Sequence, residues 1–170
     1  MRAFCLSVFF IIESLSLFSQ QNKDTLHSGN PAFGGWYADP EARVFDGELN
    51  EEVLKYTNLF RKSKRLPALE MRDDLNEIAR RHSDDMAKGK CRFGHDGFNQ
   101  RESEVQKIIQ PFSEMAENVA YGATTGKEVV QMWKDSRGHR ENMLGNYKYM
   151  GIGTATDKHG TIYFTAIFVR

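Results

Sequence analysis

Leu75, Ile78, Ala79, His82 and Met86 recur with the spacing of a single helical face, which predicts a helix from about Asp73 to Lys88, closed by Gly89. The same period places Val53, Tyr56, Thr57 and Phe60 on an earlier helix, with Asn50 as its cap, Glu51 and Glu52 at its positive end, and Pro67 closing the segment. A shorter helix is expected across Gln100 to Ile109, with Val105, Ile108 and Ile109 inward and Pro111 as its stop. Thr125 with Glu128 has the form of a capping box, followed by Val129, Val130, Met132 and Trp133 as a buried face. Gly138 is expected to break that helix, and His139 to Leu144 to form a new turn before Gly145.

Elsewhere the pattern has a period of two. Met115 to Gly122 reads as a short extended segment. Met150, Ile152 and Thr154 share one parity, and Ile162, Phe164, Ala166 and Phe168 share another after the turn Asp157-Lys158-His159-Gly160, which predicts an antiparallel hairpin. Helices and strands do not alternate as βαβ units, so the expected class is α+β: a small antiparallel sheet flanked by three to five helices. Gly151-Ile152-Gly153 has no following helix to receive a phosphate, and is read as small residues where another element packs closely on a strand.

The N-terminal residues follow neither period. Arg2, the apolar run Ala3 to Ile12 and the small residues Ser14, Ser16 and Ser19 have a signal-peptide layout over residues 1–19. The run is about half the ~20 residues that span a bilayer. Residues 20–47 are polar and turn-rich and read as a tether, although Trp36, Tyr37 and Phe45 suggest that its end docks on a domain spanning residues 48–170. The expected location is therefore outside the cytoplasm: secreted, periplasmic or on the cell surface.

The 170 residues carry 23 Lys plus Arg against 23 Asp plus Glu, so no global field draws in nucleic acid or an anionic membrane. Losing Arg2 and Glu13 with the signal leaves that balance unchanged. A monomer without nucleic-acid partners is the expectation. The basic run Arg61 to Arg65 is read as the solvated C-terminal end of the first helix, where cations complement the dipole. Of the two cysteines, Cys5 lies in the signal, too near the N-terminus for a lipoprotein cleavage pattern, and Cys91 is left without an internal disulfide partner.

Three polar clusters stand at element boundaries: Cys91/His95/Asp96, Glu114/Glu117/Asn118 and Ser136/His139/Arg140/Glu141. Two imidazoles with one or two carboxylates from separate segments are a plausible set for a divalent metal such as zinc. No local H-E-x-x-H, C-x-x-C or EF-hand pattern supplies it. Cys91 with His95 admits a thiolate pair, but a small buried hydrophobe is the plainer reading of the cysteine. Ser136 and His139 are read as a helix junction held by a capping hydroxyl rather than as a catalytic dyad. His82, on an apolar face, is read as a hydrogen-bonded core residue.

In order along the chain, several pieces resemble the superfamily of cysteine-rich secretory proteins, antigen 5 and pathogenesis-related 1 (CAP, or SCP), in its disulfide-free bacterial branch. They are Leu75-x-x-x-Ala79-x-x-His82-Ser83-x-Asp85-Met86, Phe93-x-His95, Glu117-Asn118-Val119-Ala120-x-Gly122, Trp133-x-x-Ser136-x-Gly138-His139-Arg140-x-Asn142-Met143-Leu144, Gly151-Ile152-Gly153 and Tyr163-Phe164-Thr165-x-x-Phe168. The resemblance implies an α-β-α sandwich with a cleft over the sheet. In the wider superfamily that cleft presents two His and two Glu able to hold a divalent metal. His95 and Glu117 take the places of one of each and are the candidate metal ligands; Ser136 and Tyr163 stand where the second Glu and His would be. His139 is similar to a motif histidine of the branch and is expected at the same cleft, with Ser136, Tyr163 and Asn118 adjacent.

No cofactor is required by this reading, and zinc, if bound, is held weakly. The implied function is an exported, non-enzymatic binding module for a small lipid or sterol, or for a host or surface protein. Its groove is expected to be lined by residues such as Phe112, Met115, Val119, Tyr121 and Met143. A metal-dependent hydrolase using His95, Glu117 and His139 is the alternative from another class. An adhesion module using the aromatic tether, Gln20 to Asp46, is a third.

Overall fold

The structure is a computed structural model that describes residues 40–170. The signal segment and residues 20–39 of the tether lie outside the described residues. Along the chain run α1 (Pro40–Ser63), β1 (Glu70–Met71), α2 (Asp73–Ala87), α3 (Phe98–Ile108), β2 (Met115–Tyr121), α4 (Gly126–Asp135), α5 (Arg137–Leu144), β3 (Tyr149–Thr156) and β4 (Ile162–Val169). The four strands form one sheet in the order β1-β3-β4-β2. β3 and β4 pair antiparallel as the alternation predicts, and β2 pairs antiparallel with β4. β1 adds a short parallel pairing with β3, so the sheet is mixed rather than wholly antiparallel.

Helices cover both faces. On one face Ile162, Phe164, Ala166 and Phe168 of β4 join Met150 and Ile152 of β3 in a core with Val53 of α1, Val129, Val130 and Trp133 of α4, and Met143 of α5. On the other, Ile167 and Val169 meet Leu75, Ile78 and Ala79 of α2 and Val105 of α3. Burying one such aliphatic or aromatic side chain contributes roughly 1.5–3 kcal/mol. β4 is buried on both faces, because it lies inside the sheet and inside the sandwich.

α2 rests directly on β3 at the two glycines. A Cβ on Gly153 would lie 2.0 Å from the Arg80 backbone nitrogen, and one on Gly151 would lie 2.3 Å from the Leu75 Cβ. The close-packing reading of Gly151-Ile152-Gly153 therefore holds. The contact is sealed by Ser83, whose hydroxyl donates to the Gly153 carbonyl at 2.9 Å and lies 2.8 Å from the Thr165 hydroxyl.

Several local expectations need correction. α1 begins at Pro40, not at Asn50: proline suits a first helical position, where its missing N–H costs nothing. Asn50 lies inside the helix with a buried, unpartnered Oδ1, and the last residues assigned to the tether are helical. The basic run at its C-terminal end is not uniformly solvated, since Arg61 is 1% exposed. In α3 Val105 and the following Ile109 are buried, but Ile108 faces solvent. The break between α4 and α5 falls at Ser136, and Gly138 lies inside α5. Ser136 makes no capping hydrogen bond through its side chain at α5. The Thr125 cap does form, accepting from the Glu128 N–H at 3.2 Å.

Candidate functional site

Alternation along β2 sends Glu117 to the face covered by α2 and α3, and sends Asn118 to the face of α4 and α5. The Glu117 side chain is 0% exposed. Arg101 reaches it from α3 with a two-pronged contact, Nε donating to Oε2 and Nη2 donating to Oε1, both at 2.7 Å. Its Nη1 donates to the Asp96 carbonyl at 2.8 Å, tying the preceding loop to the same guanidinium. α3 starts where it does because Gly97 adopts a φ of 78°, a left-handed conformation that costs glycine little.

That loop presents His95. Its Nδ1–H donates to Glu117 Oε1 at 2.9 Å, and the side chain is 49% exposed. Because Glu117 is an acceptor, the hydrogen lies on Nδ1, and the Nε2 edge carries no partner among the described residues. His82 comes from α2 and is buried, as its apolar neighbours predict. Its Nε2–H donates to the Gly94 carbonyl at 2.8 Å and sits 3.9 Å from Glu117 Oε1. Burial pushes the His82 pKa down and keeps the ring neutral.

His139 on α5 is half-buried, and that burial lowers its pKa. Asn118 supports α5 from behind: its Nδ2 donates to the His139 carbonyl at 3.0 Å. Asn142 donates to Asn118 Oδ1 at 2.9 Å and to the Glu117 carbonyl at 3.2 Å, and Trp133 Nε1 donates to the Val119 carbonyl at 3.3 Å. These motif side chains pin β2 to α4 and α5.

Tyr163 pairs with Tyr121 across β2 and β4, and their rings stack with centroids 5.7 Å apart. Phe93, two residues before His95, meets Tyr121 edge-on at 4.7 Å. Phe93 and Tyr121 are 49% and 50% exposed, so an aromatic row lies open at the end of the sheet.

The five residues expected to line a groove do not form one. Met143 belongs to the core under α4 and α5, Met115 to the core under α2 and α3, and Val119 is buried. Phe112 packs partly against the second core, and only Tyr121 of the five is openly exposed. Parity explains this: Met143 and Met115 approach the sheet from opposite faces. Cys91 is half-buried beside a cavity of about 310 Å3 shared with His82, Asp96 and Arg101. Burial, then Asp85 and Asp96, push its thiol pKa up, which opposes a thiolate.

The structure brings His95 and Glu117 into direct contact, and it ties the His139 backbone carbonyl to Asn118 on the other face of β2. It places Tyr163 in the aromatic row and Asn118 behind the site, and among the described residues it shows no side-chain bond from Ser136 to any of these. Sequence reasoning missed Arg101 altogether. Its signal was a position in line with Val105 on the inward face of α3, where an arginine needs a buried acid. Among the described residues no three His, Cys, Asp or Glu side chains are grouped to hold one metal ion.

A sequence profile of the cysteine-rich secretory protein (CAP) family matches residues 54–168. The uncharacterized protein YkwD of Bacillus subtilis is 32% identical over 106 residues, which cover 61% of this chain and 41% of that protein. The chain spans about two-fifths of the length of the curated relatives it matches. Among solved structures, an extracellular protein containing an SCP domain from Bacillus anthracis aligns with a TM-score of 0.66 at 24% identity, covering 84% of this chain and 45% of that one. An outer surface protein from Borrelia burgdorferi aligns with a TM-score of 0.59 at 22% identity, covering 71% of this chain and 90% of that one. These structural likenesses concern the fold.

Proposed function

The chain belongs to the cysteine-rich secretory protein (CAP) family, and from that premise we propose that it is an exported, non-enzymatic binding module whose ligand seats on the open aromatic row at the end of the sheet. The contacts are the aromatic row Phe93, Tyr121 and Tyr163 and the outward Nε2 edge of His95. Export is supported by the signal layout of residues 1–19 and by the extracellular and outer-surface descriptions of two structural relatives.

The observation that carries the reading is the exposure of that row, whose Phe93 stands two residues before His95 on the same loop, an imidazole with its inner nitrogen committed to Glu117. Aromatic faces recognise flat apolar rings, and a fixed acceptor at their edge selects a ligand with one hydroxyl donor. A sterol or a related small lipid has this chemistry. Binding rather than catalysis is favoured because, among the described residues, no hydroxyl or thiol is hydrogen-bonded to His95 to serve as an activated nucleophile.

Titration of the purified chain with a fluorescent sterol tests the proposal. Saturable binding is expected, weakened at least about tenfold by Phe93→Ala or Tyr121→Ala, the order of one aromatic anchor. Thermal unfolding of both variants should stay close to that of the parent, since the rings are exposed. Absence of saturable uptake overturns the sterol reading, and His95-dependent hydrolysis of a peptide or ester substrate would replace it with an enzymatic one.

A further inference from the structure

The CAP fold implies a divalent metal at the position of His95 and Glu117, and the donor atoms here do not fit one. Glu117 offers two oxygens, and both accept from the Arg101 guanidinium at 2.7 Å. One of them also accepts from His95 Nδ1 at 2.9 Å. A cation placed on this carboxylate would share its oxygens with a guanidinium in a buried setting, where like charges are poorly screened.

The histidines add a second obstacle. A histidine ligand binds metal through a nitrogen lone pair. His95 uses Nδ1 as a donor to Glu117, and its Nε2 lies on the far side of the ring. His95 and Glu117 therefore cannot close on one ion without first breaking the bond between them. His82 uses Nε2, the nitrogen 3.9 Å from Glu117, as a donor to the Gly94 carbonyl. Ser136 and Tyr163 bring no acid or imidazole to make up the deficit.

We propose that Arg101 is the resident cation of this site, taking the place of a divalent metal on Glu117 and thereby fixing His95 with Nδ1–H inward and the Nε2 lone pair outward. Arg101 is a positioning residue. Its third arm, Nη1 to the Asp96 carbonyl, holds the loop from which His95 projects. A guanidinium fork is planar and permanently charged, so this alignment needs no metal supply and survives chelation. The inference is independent of whether a sterol is the ligand.

Zinc titration and long-range 1H–15N correlation spectra of the histidine rings test it on the full chain. The parent protein should bind zinc no more than about twofold more tightly than His95→Ala. His95 should show a protonated Nδ1, with ring signals unmoved by one equivalent of zinc or by EDTA. In Arg101→Gln the His95 signals should shift toward a mixture of tautomers, and a His95-dependent zinc affinity should appear. One zinc per parent chain lost in His95→Ala, or a His95 protonated on Nε2, overturns the proposal. A folded Arg101→Gln with unchanged His95 signals also overturns it. If Arg101→Gln fails to fold, the spectra and titration of the parent still decide.

Discussion

Arg61, near the end of α1, donates through Nη1 to the Met143 carbonyl at 2.9 Å, joining two helices 82 residues apart in sequence. The same nitrogen donates to the Gly145 carbonyl at 2.8 Å, Nε donates to the Pro67 carbonyl at 2.8 Å, and Nη2 reaches the Tyr147 carbonyl at 3.4 Å. Burial lowers its pKa, but an arginine stays charged at neutral pH. Among the described residues no carboxylate pairs with it. The cation instead serves carbonyls at and just beyond the C-terminus of α5, which have no partner within their own helix and sit at its negative end.

Replacing Arg61 by methionine keeps much of the side-chain bulk and removes the donor from the Met143, Pro67 and Tyr147 carbonyls, while the Gly145 carbonyl keeps the Tyr147 N–H at 2.9 Å. Each buried unsatisfied group costs roughly 1–3 kcal/mol, and partial hydration limits the sum, so Arg61→Met should destabilise by about 3 kcal/mol in urea unfolding. Arg61→Lys should fall between the two, because an ammonium cannot serve all of these carbonyls at once. Equal stability of Arg61→Met and the parent would show that the bonds are idle.

The approach of α2 to β3 predicts a sharp contrast between glycines. Gly153→Ala sets a methyl 2.0 Å from the Arg80 nitrogen and 2.4 Å from the Ala79 carbonyl carbon, all backbone, so nothing can yield without moving the helix. A loss of about 3 kcal/mol or more is expected, the upper end for overpacking. Gly138→Ala meets nothing within 4 Å and lies inside α5, so it should gain about 0.5–1 kcal/mol. Thermal midpoints of the two variants against the parent decide the matter.

Acid should destabilise the fold in two separate limbs. His82 and His139 have folded pKa values below the ordinary 6.5, so the unfolded chain takes up more protons than the folded one as pH falls. Their contribution is whole above about 6.5 and is lost as pH drops through that value toward the folded pKa. The carboxylates of Asp74, Glu128 and Asp157 are also held low, by the Arg72 side chain and by the backbone N–H groups of Thr124 and Thr161 respectively. Their contribution is present above their unfolded values and is lost only at lower pH. His82→Gln, which keeps a donor for the Gly94 carbonyl, should flatten the first limb of urea midpoints between about pH 7 and 5 and leave the second. An unchanged first limb would contradict a neutral, buried His82.

The inward face of α2, the hairpin of β3 and β4, and the close packing at Gly151 and Gly153 were legible in the sequence, because each rests on a local period or on one residue's steric limits. His82 was legible as a buried side chain but not as a neighbour of Glu117. Arg61 was misread from its surroundings: its basic neighbours suggested a solvated end, and only the return of α5 over α1 turns this one inward. The groove expected from Met115, Val119 and Met143 failed because apolar character does not say which face of a sheet a residue fills.

By itself the sequence determined the helices and the hairpin, which follow from periodicity, and the order of motifs that resembles the CAP family, while that resemblance alone placed His95 and Glu117 in one site and their direct bond came from the structure. Only the tertiary structure decided what completes the charge on Glu117. Arg101 stands 16 residues before it, on a different element, and no local rule joins them. A buried carboxylate must find a cation or a full set of donors, and which one it finds depends on how α3 crosses β2, a relation the whole fold sets.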